Sequence, residues 1–418
     1  MAITENPKLE GWTAFAYRDF TVYEFALFLI ESALEMLSVA VGWQVYEITK
    51  RPLDLGLVGL AQFLPGFFLF LASGHAADRF DRRRLLMVCY GGFAVCAALL
   101  FAIAWRGSHS AHASIYAIYA VLVLLGTVRS FAGPANRVLL PQLVPEEYFP
   151  NAVAWNASVF QGATILGPMA GGLIYTFAHG PSAVYLTATL MAVAALLSTL
   201  WMKLRTKALP HEAANLNTVL AGFRYVWRKK LLLGLISLDM FAVLLGGAVA
   251  LLPVYAREIL RTGPWGLGLL RSAPGVGAVA MAILLAHRPL RRRAGPTMLW
   301  CVAGFGACTI VFGLSRSLVL SLIALVLIGA TDMVSIVIRG TLIQLGTPDE
   351  MRGRVNAVDM LFIGVSNELG QFESGLTAQW FGTIPAVVLG GIGTLVVIAI
   401  WAWRFPELRN ADRLTDGN

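Results

Sequence analysis

Residues 152–178 have the sequence AVAWNASVFQGATILGPMAGGLIYTFA, a run without a single charged side chain. Its centre, from Gly162 to Gly172, contains four glycines and a proline, a density that a helix in water would rarely tolerate. A helix buried in a membrane tolerates it, because neighbouring helices satisfy the freed backbone groups and glycines let backbones approach closely. The stretch therefore predicts a buried membrane helix.

The whole chain shares this apolar character. Of its 418 residues, 57% are hydrophobic and 13% are charged, and the mean hydropathy is +0.70, which excludes an ordinary soluble domain. Crossing the hydrocarbon core takes about 20 apolar residues. Runs of that kind lie at 20–47, 55–77, 85–105, 113–135, 152–178, 181–202, 231–256, 265–287, 296–315, 317–340, 355–380 and 384–403. We expect an all-α membrane protein with twelve transmembrane helices.

The basic residues predict the orientation, because Lys and Arg accumulate on the cytoplasmic side of a membrane. With the N-terminus placed inside, 23 of them fall on the cytoplasmic side and six on the other. Arg129, Arg271 and Arg339 lie within spans and are left out of the comparison. Both termini are therefore expected in the cytoplasm, and the net charge of +8 follows from topology rather than from nucleic-acid binding.

The two halves of the chain repeat one another. An arginine, a Gln-Leu pair and an Asn-Ala-Val triplet recur in segments 137–153 and 339–358, which join spans 4 to 5 and spans 10 to 11. Such repetition predicts two six-helix pseudo-symmetric halves with the binding site between them near the midplane. The expected division is an N-terminal half at 1–202, a cytoplasmic linker with an amphipathic helix at 203–230, a C-terminal half at 231–404 and a cytoplasmic tail at 405–418.

The loop between spans 2 and 3 carries a second informative pattern. It runs from Gly74 through Asp78 and Arg79 to a basic cluster that begins at Arg82. The pattern resembles the signature loop of the major facilitator superfamily, GxLADrxGrkr. A cluster of arginines placed only by topology would explain the charges, but neither the glycine nor the aspartate. The resemblance implies that Asp78 locks the two halves by contact with the start of span 11, where Arg354 is the available cation.

Two further motifs fall on the expected spans. Arg129-Ser-Phe-Ala-Gly133 in span 4 resembles the family's RxxxG motif, whose arginine is implied in proton transfer. The span 5 pattern GxxxxGPxxGG resembles the antiporter motif of the family's exporters, although ordinary small-residue packing is the alternative. It comprises Gly162, Gly167, Pro168, Gly171 and Gly172. Segments 347–358 and 362–370 are similar to the drug:proton antiporter branch that includes siderophore exporters.

Ionisable residues inside the spans are the candidates for the mechanism, because a charge in hydrocarbon is costly and normally marks a pathway or a proton relay. Glu31 and Glu35 lie one helical turn apart in span 1, so both should not ionise easily. Arg129 in span 4, Asp239 in span 7 and Asp332 in span 10 complete the set, since the resemblance implies that these spans line the cavity. The repeat alignment suggests an ion pair between Arg129 and the acids of the other half, and static salt bridges are the alternative role. Span 11 also carries polar residues, but the resemblance implies that this helix lies mainly beside the cavity, so a structural or gating role is expected for Asp359, Glu368, Gln371 and Glu373.

These patterns together predict a secondary active transporter. The expected function is proton-coupled export of a small amphiphilic molecule such as a siderophore or drug, by alternating access, from a multi-pass position in a bacterial inner membrane. No cofactor beyond the proton gradient, no metal site and no catalytic residues are expected. The expected partners are a small-molecule substrate and the lipid bilayer, with no nucleic acid, and the protein is expected to be a monomer. A lysophospholipid flippase or a proton-independent importer on the same fold is the alternative.

Overall fold

The computed structural model describes residues 11–106, 111–203, 216–288, 290 and 293–411. The side chains at 70, 71, 77, 78, 111–113 and 216–219 lie outside that description. Twelve long helices, α1–α12 in chain order, account for most of the described residues, and a shorter linker helix (Leu216–Arg228) lies between the sixth and seventh.

The first six helices make up the N-terminal half of the bundle. They are α1 (Arg18–Thr49), α2 (Pro52–Arg79), α3 (Arg82–Arg106), α4 (Ala111–Leu139), α5 (Phe149–Phe177) and α6 (Pro181–Leu200). A proline in the first turn of α2, α5 and α6 fits the position where a missing backbone N–H costs least. The C-terminal end of α1 is capped by Lys50, which adopts a left-handed conformation with φ of 55°.

The last six helices make up the C-terminal half. They are α7 (from Lys230), α8 (Gly263–His287), α9 (Ala294–Leu314), α10 (Leu318–Leu345), α11 (Asp349–Phe381) and α12 (Thr383–Arg404). α7 is broken: its regular part ends at Gly246, and short 3-10, α and π turns carry the chain on to Ile259. The chain therefore forms an all-α bundle in two six-helix halves, as the sequence predicts.

Within the described part of the chain, eleven helices are long and apolar enough to cross a membrane by length and composition. α11 has 33 residues and carries several charged side chains instead. Two of these, Asp349 and Glu350, lie in its first turn, where the helix dipole favours acids. With 33 residues, α11 is long enough to span a membrane. The charged side chains farther along this helix must then be satisfied by contacts inside the bundle.

The halves contact each other through related helix pairs. α5 packs on α8, and α2 packs on α11. We call the side at which α1 begins and α12 ends the terminal face, and the side at which α1 ends the far face.

The linker helix packs on α11 at the terminal face. A Cβ added at Gly222 would lie 2.6 Å from the Arg354 carbonyl oxygen, so the two backbones touch. Val226 is buried, whereas Leu220, Phe223 and Trp227 are exposed. An exposed apolar stripe on a short helix suits the membrane interface. Leu216 and Val219, which contribute to the predicted amphipathic pattern, have side chains outside the described set.

Candidate functional site: a charged cavity between the halves

The far face is closed by direct contact between α1 and α7. The π turn Tyr255–Ile259 ends α7 and carries two of the side chains that contact α1. The Tyr46 hydroxyl donates a hydrogen bond to Glu258 at 2.5 Å, and Arg257 forms an ion pair with Glu47 at 3.2 Å. These contacts join the two halves at one end of the bundle.

Glycines bring the backbones of the two halves together near the same face. A Cβ added at Gly172 on α5 would lie 2.5 Å from the carbonyl oxygen of Pro264 on α8. On the other side of the interface, a Cβ at Gly375 on α11 would lie 2.9 Å from the Cα of Gly56 on α2. Because real Cβ atoms do not approach other atoms this closely, side chains at these positions would force the far face apart.

The predicted antiporter motif on α5 packs against α1 within its own half and against α8 of the other half. A Cβ at Gly167 would lie 2.8 Å from the Glu35 Cβ, and a Cβ at Gly171 would lie 2.9 Å from the Met36 Cα, so this part of the motif packs on α1. The Pro168 carbonyl and Gly172 face α8 instead. Gly162 has only Phe28 near it, at 4.0 Å. The motif therefore sets both the position of Glu35 and the contact between the halves.

A cavity of about 280 Å³ lies between the halves at the middle of the bundle. The helices α1, α2, α4, α7, α8 and α11 all contribute to its wall. Its lining residues are Glu35, Ser38, Gln62, Arg129, Val243, Gly247, Val249, Arg271, Asn367, Glu368 and Gln371. A side lobe of about 50 Å³ shares four of these residues and adds the aliphatic side chains Leu34, Leu37, Val41, Val58, Leu122 and Leu125.

Two of the predicted coupling residues line this cavity. Glu35 and Arg129 face it directly. Glu31 is half-buried one turn away on α1, within electrostatic range of both Arg129 and Glu35. The structure thus brings the three N-terminal candidates together at mid-depth.

The two C-terminal candidates lie elsewhere. Asp239 on α7 forms an ion pair and hydrogen bond with Arg339 on α10 inside the C-terminal half. Arg339 also lies 3.7 Å from Asp359 on α11. Asp332 lines a separate small cavity of about 10 Å³ beside Asp239, enough for about one water. We call Asp239, Asp332, Arg339 and Asp359 the C-half cluster.

The predicted ion pair across the halves is therefore not formed in this structure. Arg129 makes no ion pair with Asp239 or Asp332, because Arg339 occupies the position beside Asp239. The expectation that the polar residues of span 11 stand beside the cavity is also wrong for Glu368 and Gln371, which are part of its wall. Gln371 donates a hydrogen bond to Glu368 at 3.1 Å.

Several cavity residues were outside the predicted site. Arg271 on α8 donates a hydrogen bond to Ser38 on α1, across the two halves, and it interacts electrostatically with Glu35 and Glu368. A signal for Arg271 was present in the sequence, since it is an arginine inside an apolar span. Gln62 and Asn367 gave no comparable signal, because uncharged amides occur on every face of membrane helices.

Charged side chains of the signature loop at the terminal face bind the ends of two helices, α3 and α6. Asp81 stands where the family pattern has glycine, and its carboxylate accepts the backbone N–H of Arg84 at 3.0 Å, which caps the start of α3. Arg83 donates to the carbonyls of Thr199 and Leu200 at the end of α6, at 3.1 and 2.7 Å. The aspartate is therefore compatible with this turn.

The predicted gate residues are placed only in part. Gly74 is half-buried, Arg79 is exposed and Arg82 is buried at the first position of α3. The side chain of Asp78 lies outside the described set, so its expected contact with Arg354 remains a prediction. Arg354 lies 3.7 Å from the Met351 sulfur through its Nη1 atom.

Fold and cavity together define a membrane transporter with a central site between two halves. The sequence profile of the Major Facilitator Superfamily matches residues 24–371, and the chain belongs to that family. It is therefore a transporter and not an enzyme.

Its curated relatives include two exporters. The multidrug efflux pump Tap of Mycobacterium tuberculosis is 26% identical over 392 residues, which cover 90% of each chain. The enterobactin exporter EntS of Escherichia coli is 26% identical over 397 residues, covering 92% of this chain and 91% of the relative.

Solved structures share the fold at lower identity. The nucleoside transporter NupG superposes with a TM-score of 0.71 at 12% identity, over 93% of this chain and 100% of that one. A bacterial homologue of the iron transporter ferroportin, in an inward-facing state, gives 0.70 at 15% identity, over 92% and 98%.

Proposed function

We propose that this chain is a proton-coupled exporter of a small amphiphilic molecule, such as a siderophore or drug, that works by alternating access. The charged mid-depth cavity carries the proposal, because charges held at this depth normally mark a transport pathway. The two exporters among its relatives support the direction of transport.

In this proposal the terminal face is cytoplasmic, because most of the Lys and Arg residues lie on that side. The closed far face then lies on the outer side of the membrane. Substrate enters from the cytoplasm, the halves rock, and the contacts of Tyr46 with Glu258 and of Glu47 with Arg257 break as the far face opens. Asp78 and Arg354 form the opposite gate, at the terminal face. The protein is a monomer in a bacterial inner membrane and uses the proton gradient without a cofactor.

Proton coupling is assigned to the carboxylates. Glu31 and Glu35 face a shared arginine and each other, so protonation of one changes the charge of the cavity. Asp332 lies within electrostatic range of Asp239 and Arg339, so the C-half cluster provides a second place where a proton is held. Arg129 is the cation against which the cavity carboxylates exchange their protons.

The coupling is tested in proteoliposomes with an acidic interior, using norfloxacin and a catecholate siderophore as probes. Wild-type protein should accumulate a transported probe only while the pH difference lasts. Glu31→Gln and Glu35→Gln should equilibrate the probe without accumulating it. If both variants accumulate it as the wild type does, the assignment is wrong. Transport that ignores the pH difference in the wild type would favour the lysophospholipid flippase or the importer.

The movement of the far face is tested by cross-linking. A short bifunctional thiol reagent should join the cysteines of a Tyr46→Cys, Glu258→Cys double variant and stop transport. The single variants treated in the same way control for the four native cysteines. Undiminished transport by the cross-linked protein would contradict alternating access through this face.

A further inference from the structure

The cavity wall contains charges of both signs in equal number. Glu35 on α1 and Glu368 on α11 are acidic, whereas Arg129 on α4 and Arg271 on α8 are basic. Each half contributes one acid and one base. A substrate that enters this cavity therefore meets both kinds of charge from both halves.

These four charges keep the capacity to bind a ligand. Within the described part of the chain, none of them forms an ion pair at 4.0 Å or less. Arg271 donates to the neutral hydroxyl of Ser38, and Glu368 accepts from the neutral amide of Gln371. Arg129 is exposed on the cavity side. The four charges interact with one another without direct contact: Arg271 lies within electrostatic range of Glu35 and Glu368. Glu368 in turn lies within range of Arg129. A ligand that carries both charges can therefore add direct charge-assisted hydrogen bonds that the cavity residues do not make to each other.

The geometry of the bases favours a planar anion. A guanidinium presents parallel N–H donors that match a carboxylate in a bidentate arrangement. The carboxylates of Glu35 and Glu368 can accept charge-assisted hydrogen bonds from a protonated amine. One sign of charge on the ligand would leave the opposite pair unsatisfied.

The apolar part of the site is small and aliphatic. The side lobe adds leucines and valines, and among the described residues that line the cavity and the lobe none is aromatic. Flat organic cations therefore find no aromatic ring for stacking or for a cation–π contact. The main cavity, at about 280 Å³, lies just below the usual range for drug-sized ligands, about 300–1,000 Å³. The site thus fits a compact molecule with one modest apolar group.

We infer that the substrate is a compact zwitterion: its anionic group binds Arg271 and Arg129, its cationic group binds Glu35 and Glu368, and an apolar group fills the side lobe. This inference rests on the proposed function and narrows its substrate class from amphiphiles in general to those that carry both charges.

The experiment measures binding to the purified full-length protein by thermal stabilisation in detergent. Two matched series serve as probes. Leucine, with an amine and a carboxylate, is compared with its methyl ester and its N-acetyl derivative. The dipeptide alanylphenylalanine is compared with its C-terminal amide and its N-acetyl derivative. In at least one series the parent should bind about tenfold more tightly than either single-charge analogue, the value of one charge-assisted contact.

Variants assign each ligand charge to its protein partner. Arg271→Gln, which leaves Arg129 in place, should reduce the preference for the parent over the analogue that lacks the carboxylate several-fold, and leave the preference over the N-acetyl analogue intact. Glu35→Gln should do the reverse. Arg271→Lys is a second variant for the case in which Arg271→Gln folds poorly. It retains the positive charge and should preserve part of the preference for the parent. Arg316→Gln, an exposed residue between α9 and α10, is the control and should change nothing.

Equal binding of parent and single-charge analogues, or no stabilisation by either parent, would overturn the inference. Preferences that persist unchanged in Arg271→Gln would overturn it as well. Failure of the proposed function has a different signature, since binding needs no gradient. Charge-selective binding without gradient-driven transport would refute the coupled exporter and leave the zwitterion site standing.

Discussion

The cavity charges and the C-half cluster use the same residue types in opposite ways. Glu35, Arg129 and Arg271 face a cavity and have no ion-pair partner within the described chain, whereas Arg339 and Asp239 are about 5% and 6% exposed and pair with each other. The buried pair loses most of its solvation, whereas the cavity charges, which are half-buried or exposed, lose less of theirs. Intramembrane charge alone therefore does not identify a ligand-binding site: the cavity charges are available to a ligand, whereas Asp239 and Arg339 already contact each other.

Removal of the shared cation of the C-half cluster is expected to have the largest effect on stability. Arg339→Gln leaves the buried Asp239 and the half-buried Asp359 as neighbouring acids without a countercharge. Loss of one partner of a buried pair costs about 3–5 kcal/mol, so the free energy of unfolding should fall by that amount in a detergent titration. Arg271→Gln is the matched control in the cavity. An equal loss in both variants would erase the distinction between the two clusters.

A second variant tests whether pairing or charge itself is needed. Adding Asp239→Asn to Arg339→Gln removes the most closely paired acid together with its base. Replacing both members of a buried pair costs much less than breaking it, so the double variant should recover about 1–3 kcal/mol of the loss. The same unfolding titration measures it. A double variant as unstable as Arg339→Gln alone would place the main cost at Asp359.

Most of the fold could be predicted from the sequence, because hydropathy measures the transfer free energy that places each helix in the membrane. The span expected at 85–105 is α3, Arg82–Arg106, and the span expected at 384–403 is α12, Thr383–Arg404. α7 is the exception: the break at Gly247 and the π turn that ends at Ile259 depend on backbone packing, which a sum over side chains does not contain.

The site was less predictable for a related reason. Hydropathy finds a charge in a span, but the side of the helix on which it lies decides its partner. Asp239 and Glu35 were therefore equivalent candidates, although one faces Arg339 and the other faces the cavity. Arg339 begins one copy of the internal repeat, and its counterpart Arg137 contacts Met360 instead. The halves share a fold but not their polar contacts.

The cavity variant Arg271→Gln supplies the third prediction. Its guanidinium reaches a cavity rather than a sealed interior, so its removal should lower the free energy of unfolding by about 1 kcal/mol or less. Gradient-driven accumulation of a zwitterionic probe should nevertheless fall at least tenfold. Unfolding titration and transport, measured on the same preparation, separate the two effects. Reduced stability with full transport would assign Arg271 to the support of the fold.

Ser38→Ala changes a neutral contact of the cavity and leaves all four cavity charges in place. The Ser38 hydroxyl on α1 accepts the hydrogen bond of Arg271 on α8, and one net hydrogen bond is worth about 1 kcal/mol. Its loss should therefore lower the free energy of unfolding by no more than about 1 kcal/mol. It should weaken zwitterion binding only a few-fold, since Arg271 keeps its charge and loses one restraint on its position. Binding reduced as far as in Arg271→Gln would mean that the orientation of the guanidinium, and not its charge, selects the ligand.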